Sequence, residues 1–288
     1  MKKNDPKSML AFITSMLIFG TIGIFRRYID LPSSVLACVR GFTGSLFLVI
    51  LALIQRKKFS LQMGAGKLLL LILSGMLIGF NWLLLFEAYN YTTVATATLC
   101  YYMQPTIVIL ISPFIFRERL TAKKGICALV AIIGMIFVSG ILGNAQGGGE
   151  DMKGVALGLG AAALYATVVT LNKKLPGIDV YMKTIVQLFS AAAVLVPYIL
   201  LTENIGSIHI QGQGLIMVLV VGLVHTGIAY YLYFGSMDGL RAQSLALFSY
   251  IDPVSALLLS VIFLGEPLSF IGMAGAVMIL GAALISEL

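Results

Sequence analysis

The chain has 288 residues, of which 59% are hydrophobic and only 11% are charged, and its mean hydropathy is +1.01. A chain with this small a share of polar side chains cannot cover the surface of a water-soluble globule of its length. The composition therefore excludes a soluble domain and indicates an integral membrane protein. The net charge of +7 does not indicate nucleic-acid binding. The basic residues fall in short clusters between apolar runs, where they would meet anionic lipid head groups.

Ten apolar runs follow one another along the chain, and each is long enough to cross a bilayer as a helix. We interpret the first run as a spanning helix and not as a signal peptide, because no small-residue cleavage site follows it. The sequence therefore predicts an all-α integral membrane protein with ten transmembrane helices and no soluble domain. The approximate limits of the runs are 9–29, 33–54, 67–89, 93–115, 123–142, 154–172, 180–201, 213–236, 241–264 and 269–286.

The distribution of Lys and Arg predicts the orientation, because cytoplasmic loops carry an excess of these residues. If the N-terminus is cytoplasmic, most cations lie on the inner side, whereas Arg26, Arg27 and Lys153 lie outside and Arg40 lies within a helix. Both termini are therefore predicted to be cytoplasmic.

Two stretches, 94–105 and 242–253, match each other in sequence and place Pro105 opposite Pro253. Each proline lies inside an apolar run, where it removes a backbone hydrogen bond and is expected to kink the helix. Interruptions at corresponding positions of two halves are typical of a transporter's substrate site.

The internal repeat divides the chain into two sets of five predicted helices. We predict a first repeat at 1–143, a glycine-rich external linker at 144–153, and a second repeat at 154–288. Because five is an odd number, the second set enters the membrane from the opposite side, so the repeats are inverted. Inverted repeats supply two near-equivalent arrangements, as alternating access requires.

The duplicated segments resemble EamA-type members of the drug/metabolite transporter superfamily. The resemblance rests on the ten-helix duplication, on Ala-Thr-Ala-Thr followed by Gln-Pro105 and Phe-Arg-Glu-Arg-Leu, and on Ala-Gln-Ser-Leu followed by Asp-Pro253 and Phe-Leu-Gly-Glu-Pro-Leu. It covers nearly the whole chain. It implies a multi-pass plasma-membrane carrier, most often an exporter of amino acids, related metabolites or drugs, with a cavity near the membrane midplane.

Polar and aromatic residues inside the apolar runs predict the substrate site. Arg40 is a cation within a span and is expected to face the protein interior. Asp252 directly precedes Pro253, and Gln104 holds the matching position. Each residue also has a structural interpretation: Arg40 pairing with a helix carbonyl or Glu87, Asp252 capping freed backbone groups, and the aromatic residues packing helices. The predicted substrate-binding residues are Arg40, Asn81, Trp82, Tyr101, Gln104, Gln187, Tyr250 and Asp252.

Three residues are candidates for proton coupling: Glu87, His225 and Asp252. A desolvated carboxylate or a membrane histidine exchanges protons, but Glu87 could equally be an interfacial acid and His225 a packing residue. Facilitated transport without coupling fits the sequence as well.

The sequence predicts neither a metal site nor a cofactor, since the cysteines lie in separate runs without metal-ligand spacing and no phosphate-binding loop is present. We therefore expect a secondary-active or facilitative transporter of a small polar or amphipathic metabolite, and not an enzyme. Its expected partners are the substrate, the lipid bilayer and, with coupling, protons. A lipid scramblase or channel is the alternative, followed by an intramembrane lipid-modifying enzyme, which would need clustered acids and histidines. Thr121 and Ser269 are predicted to cap the fifth and tenth helices.

Overall fold

The computed structural model describes residues 5–56, 64–116, 121–138, 149–175, 177–208, 212–237, 239–240, 242–266 and 268–287. These residues form helices and connecting turns, with no strand among them. A π-helical segment, Val221–Ile228, joins α9 to α10. The helices are α1 (Pro6–Arg27), α2 (Ser33–Ile54), α3 (Ala65–Tyr91), α4 (Val94–Tyr101), α5 (Gln104–Phe116), α6 (Ala122–Val138), α7 (Gly149–Lys173), α8 (Val180–Thr202), α9 (Gly212–Val220), α10 (Ala229–Met237), α11 (Ala242–Ser249), α12 (Ile251–Leu264) and α13 (Phe270–Glu287).

The helices fall on all ten of the predicted apolar runs. In the described ranges, seven segments are long and apolar enough to cross a membrane, and two shorter apolar helices lie at 251–264 and 270–286. The outer surface is apolar: Phe114, Leu201 and Phe270 are each at least 85% exposed. A water-soluble protein does not expose so many large apolar side chains. The prediction of an all-α integral membrane protein is confirmed at this level.

Two spans are interrupted near their middle, and the interruptions precede the prolines. The first break lies at Tyr102 and Met103, between α4 and α5, and the second lies at Tyr250, between α11 and α12. Pro105 and Pro253 therefore lie in the first turn of the following helix, where the missing N–H is not needed. The sequence predicted a kink at each proline; in the structure each proline lies in the first turn of a new helix.

Helices of the first half pack mainly on helices of the second half. α1 packs on α10 and α12, α3 packs on α7 and α8, and α6 packs on α13. Small residues allow these close approaches. A Cβ on Gly75 in α3 would lie 2.6 Å from the Gln187 carbonyl oxygen of α8, and one on Gly134 in α6 would lie 2.8 Å from the Gly275 oxygen of α13.

Two predicted helix caps are confirmed, and α7 begins within the segment that the sequence predicts to be the linker. The hydroxyl of Thr121 accepts from the backbone N–H of Lys124 at 3.3 Å, and that of Ser269 accepts from Gly272 at 3.0 Å. α7 begins at Gly149, so residues 149–153 of the predicted linker are helical. The rest of the predicted linker, like several of the cations that the sequence predicts to be cytoplasmic, lies outside the described residues.

Candidate functional site

A cavity of about 210 Å³ lies between the two interrupted spans, and we call it the central cavity. Its wall combines aromatic rings from five helices with a few polar side chains. The lining residues are Met16, Phe19, Gly20, Ile22, Gly23, Arg40, Trp82, Leu85, Phe86, Tyr89, Thr98, Tyr101, Tyr102, Gln104, Tyr165, Tyr230, Tyr233, Ser249, Asp252 and Ala256. Concave, mostly apolar sites with a few polar groups are typical of small-molecule binding.

A hydrogen bond joins the two interrupted spans across this cavity. The hydroxyl of Tyr102, at the end of α4, donates to Oδ2 of Asp252 in the first turn of α12, at 2.6 Å. A carboxylate near a helix N-terminus is also favoured by the helix dipole. The pair thus fixes one break against the other and keeps a carboxylate at the cavity wall.

Arg40 of α2 is the cation of the central cavity, and its side chain is only 5% exposed. Its Nε donates to the hydroxyl of Thr226 at 3.0 Å. Its guanidinium carbon lies 4.1 Å from the ring centre of Trp82 and 5.3 Å from that of Phe86, which gives cation–π contacts. Such contacts contribute about 2 kcal/mol or more when they are desolvated. The described residues place no carboxylate within salt-bridge distance of Arg40.

Gln104 supplies an unpaired acceptor. It lines the cavity at the start of α5, and its buried Oε1 has no hydrogen-bond partner among the described residues. Unpaired buried polar atoms are rare and call for an explanation, of which a missing ligand is one. Gln104 and Asp252 hold matching positions in the two halves, so both interrupted spans present a polar group to the cavity.

The central cavity brings together five of the eight predicted substrate-binding residues: Arg40, Trp82, Tyr101, Gln104 and Asp252. The other three lie elsewhere. Asn81 is fully buried and donates to the Ala161 carbonyl of α7 at 2.6 Å, and Gln187 donates to Ser74 at 2.7 Å and to Asn172 at 2.9 Å. Both amides therefore join helices.

Tyr250 lies at the break before α12 but is not among the lining residues.

The two remaining candidates for proton coupling lie outside the central cavity. His225, in the π-helical segment, is 1% exposed, and its Nε2 is 2.8 Å from the hydroxyl of Thr21. The ring of Phe25 packs edge-on against it. Glu87 lies on another face of α3 and accepts from the Ser33 hydroxyl at 2.7 Å. Only Asp252 of the three borders the central cavity.

Polar contacts tie the helices together at the end of α1. Arg27 pairs with Glu266 at 2.6 Å and donates to the Thr92 carbonyl at 3.2 Å. Glu266 also accepts from the first backbone N–H of α4, that of Val94, at 2.9 Å, and from the Ser260 hydroxyl at 2.8 Å. One carboxylate thus fastens α1 and α4 to the end of α12.

Apolar side chains pack around the first half of α1, at the opposite end of that helix. Phe12, Met16 and Leu240 form a buried cluster with aromatic neighbours that include Tyr233 and Phe248. The central cavity therefore lies between a polar contact set and an apolar one. In the parts of the chain that the structure describes, no group of three or more His, Cys, Asp or Glu residues could hold a metal ion.

The sequence matches the EamA-like transporter family twice, at residues 6–140 and at residues 152–287. The chain belongs to the EamA-like transporter family. It is 30% identical over 264 residues to the "uncharacterized transporter YxxF" of Bacillus subtilis, covering 91% of this chain and 84% of that protein. It is 24% identical over 271 residues to the protein RarD of Salmonella typhi, covering 92% and 88%.

A solved crystal structure shares the fold of this EamA-type transporter. It aligns with a TM-score of 0.69 over 98% of both chains at 21% identity. At this identity the likeness shows the fold alone. The family membership and the apolar helices make the chain a multi-pass membrane transporter of the EamA type.

Sequence reasoning missed several aromatic residues that line the cavity of this EamA-type transporter. Tyr165, Tyr230 and Tyr233 all border it, and the ring of Tyr165 packs on that of Tyr101 at 5.8 Å. One signal was present in the repeat: Phe19-Gly-Thr aligns with Tyr165-Ala-Thr, and both aromatic residues line the cavity. No comparable sequence signal distinguishes Tyr230 and Tyr233 from ordinary helix-packing residues.

Proposed function

We propose that this protein moves a small amphipathic metabolite carrying both an amino group and a carboxylate, such as an amino acid, through the central cavity by alternating access. The observation that carries the proposal is the arrangement of Arg40, Gln104 and Asp252 around one aromatic-lined cavity. The structure describes no carboxylate paired with Arg40 and no partner for Gln104 Oε1.

The chemistry of the cavity wall supports this substrate class. A ligand carboxylate would meet the guanidinium of Arg40, for which a carboxylate is the natural partner. A ligand amino group would find acceptors in Asp252 and Gln104 and the faces of surrounding aromatic rings. An apolar or aromatic side chain of the ligand would pack against the aromatic rings of the wall.

The packing pattern supports two inverted five-helix repeats with ten spans. α1 of the first half packs on the span of α11 and α12 in the second half. α7, which holds the position of α1 in the second half, packs in turn on the span of α4 and α5 in the first half. The same holds for α2 with the π-helical segment and α3 with α8. The two family matches cover one half each. Rocking of such halves opens a central site to either side in turn.

The proposed orientation places both termini in the cytoplasm and the protein in the plasma membrane. The Arg27–Glu266 contact set then lies on the outer side of the central cavity, and the cluster around Phe12 lies on the inner side. Export of the substrate is the direction that the family resemblance favours.

The test is thermal stabilisation of the purified full chain by a panel of amino acids, amines, nucleosides, sugars and lipids. A ligand of the native state raises stability by an amount set by its concentration relative to its Kd. We expect an amino acid to stabilise the wild-type protein, and we expect Arg40→Gln to weaken that effect by impairing the central cavity.

Tyr28→Phe, on an exposed residue outside the cavity, is the control and should keep the response. Stabilisation by lipids alone, or a response that survives Arg40→Gln unchanged, would contradict the proposal. The lipid result would favour lipid scrambling instead.

A further inference from the structure

A second cavity, of about 420 Å³, lies on an adjacent face of α3, and we call it the α3–α8 cavity. Trp82, Phe86 and Tyr89 of α3 border the central cavity, whereas Glu87 and Asn90 border this one. The end of α1 with the turn that follows it, the start of α2, Leu157 of α7 and the end of α8 complete its wall. It lies at the end of the bundle where α1 ends, the outer end in the proposed orientation.

Two carboxylates line this cavity, and each accepts a hydrogen bond from a serine at the start of α2. Ser33 donates to Oε2 of Glu87 at 2.7 Å, and Ser34 donates to Oε1 of Glu203 at 2.5 Å. Asn90 adds a bond to Oε2 of Glu87 at 3.1 Å. An ionised carboxylate offers about four acceptor positions on its two oxygens. Both groups therefore keep the capacity to accept hydrogen bonds from a ligand.

Arg26 is an incompletely bonded cation in the same wall. It is 7% exposed, and its two terminal nitrogens donate to the Ile29 carbonyl at 2.8 Å, to Ser33 at 3.1 Å and to Asn90 at 3.2 Å. Its buried Nε has no partner among the described residues, and no described carboxylate lies within salt-bridge distance of it. A buried charged donor without a partner carries a desolvation cost, because it has given up its hydrogen bonds to water.

We infer that the α3–α8 cavity is a second binding site for a small zwitterion, with its ammonium group at Glu87 and Glu203 and its carboxylate at Arg26. One cation and two anions give the wall a net negative charge, so an ammonium group is essential to the ligand. The leucines of the wall, among them Leu31, Leu83 and Leu157, accommodate a short apolar side chain. The inference rests on the proposed function only for the class of molecule; the cavity and its groups are independent of the central one.

The experiment measures the affinity of the purified full chain for L-leucine by thermal stabilisation, in wild type, Glu203→Gln, Asp252→Asn and the double variant. Glutamine at 203 keeps an acceptor for Ser34 but loses the charge. We expect Asp252→Asn to leave one L-leucine response, and the double variant to bind about tenfold more weakly, as loss of one charged hydrogen bond implies. Arg26→Lys provides a second test and should weaken the same response.

Three probes define the ligand chemistry in the Asp252→Asn protein. 4-Methylpentanoate lacks the ammonium group and 3-methylbutylamine lacks the carboxylate, and we expect each to bind more weakly than L-leucine. Sodium chloride, compared with potassium chloride, tests for an inorganic cation. Stabilisation by sodium that Glu203→Gln removes would overturn the inference, and so would an L-leucine response that neither Glu203→Gln nor Arg26→Lys changes. A response lost in Asp252→Asn alone would support the central site and contradict the second one.

Discussion

At the scale of single residues, Asp252 is the candidate for proton coupling that borders the central cavity, and its carboxylate accepts a hydrogen bond there. Tyr102 donates to it at 2.6 Å across the two breaks. If Asp252 carries the coupled proton, Asp252→Asn keeps an acceptor for Tyr102 and removes the titrating group. We expect flux of the substrate in proteoliposomes to respond to an imposed pH gradient in the wild-type protein and to lose that response in the variant.

Tyr102→Phe is the complementary control for this experiment, because it removes the hydrogen bond between Tyr102 and Asp252 but keeps the carboxylate. Its flux should still follow the pH gradient. A wild-type flux that ignores the gradient would instead assign Asp252 a structural role at the start of α12 and make the protein a facilitative carrier.

Residue-scale prediction from the sequence reached only part of the site. Arg40 and Asp252 could be predicted because a charge inside an apolar run has few tolerable environments. Asn81 could not be placed by the same reasoning, since a helix carbonyl accepts from an amide N–H as well as a ligand does. Its bond to the Ala161 carbonyl of α7 depends on which helices meet, and the sequence does not contain that information in a readable form.

At the scale of helices, close backbone contact between α3 and α8 yields the next prediction. A Cβ on Gly79 would overlap the carbonyl oxygen of Ala191, which belongs to a backbone and cannot rotate away. Overpacking of this kind costs about 1–3 kcal/mol. We expect Gly79→Ala to lower the Tm of the detergent-purified protein.

Gly281→Ala is the control, because a Cβ there would meet no atom within 4 Å. Alanine is the better helix former by about 1 kcal/mol, so the Tm should stay equal or rise. Equal losses of Tm in both variants would contradict the prediction, because they would show that the α3–α8 contact is no more sensitive to an added methyl group than the position of Gly281.

The interrupted spans show why helix limits were predictable and helix breaks were not. Run length and hydropathy locate a span because the bilayer sets its length. A proline, by contrast, fits either the interior of a helix with one bond lost or the first turn of a new helix. Pro113 and Pro197 lie inside α5 and α8 without ending them, whereas Pro105 and Pro253 follow breaks.

At the scale of the whole molecule, the two halves provide the strongest sequence information about architecture. The internal repeat aligns Gly75 with Gly222, and the structure places each glycine against the other half: Gly75 against Gln187 and Gly222 against Thr43. Pairing of the halves was therefore predictable in outline. The size of the cavities was not, since it depends on how side chains from several helices fill the space between them.

Inverted repeats make a definite prediction about sidedness. The turn after α1 and the turn after α7 hold corresponding positions in the two halves, so they lie on opposite membrane faces if the repeats are inverted as proposed. In cells, a membrane-impermeant thiol reagent should label Asp30→Cys and Asn204→Cys, and it should leave Arg56→Cys and Lys174→Cys unlabelled until the membrane is permeabilised. All four positions are exposed.

The native cysteines, Cys38, Cys100 and Cys127, are buried and free, and their replacement by alanine provides the background for these variants. Labelling of Asp30→Cys and Lys174→Cys from the same side would show that the halves are parallel. A carrier of that kind could not exchange the conformations of its halves by rocking, so the proposed mechanism depends on this result as much as on the substrate.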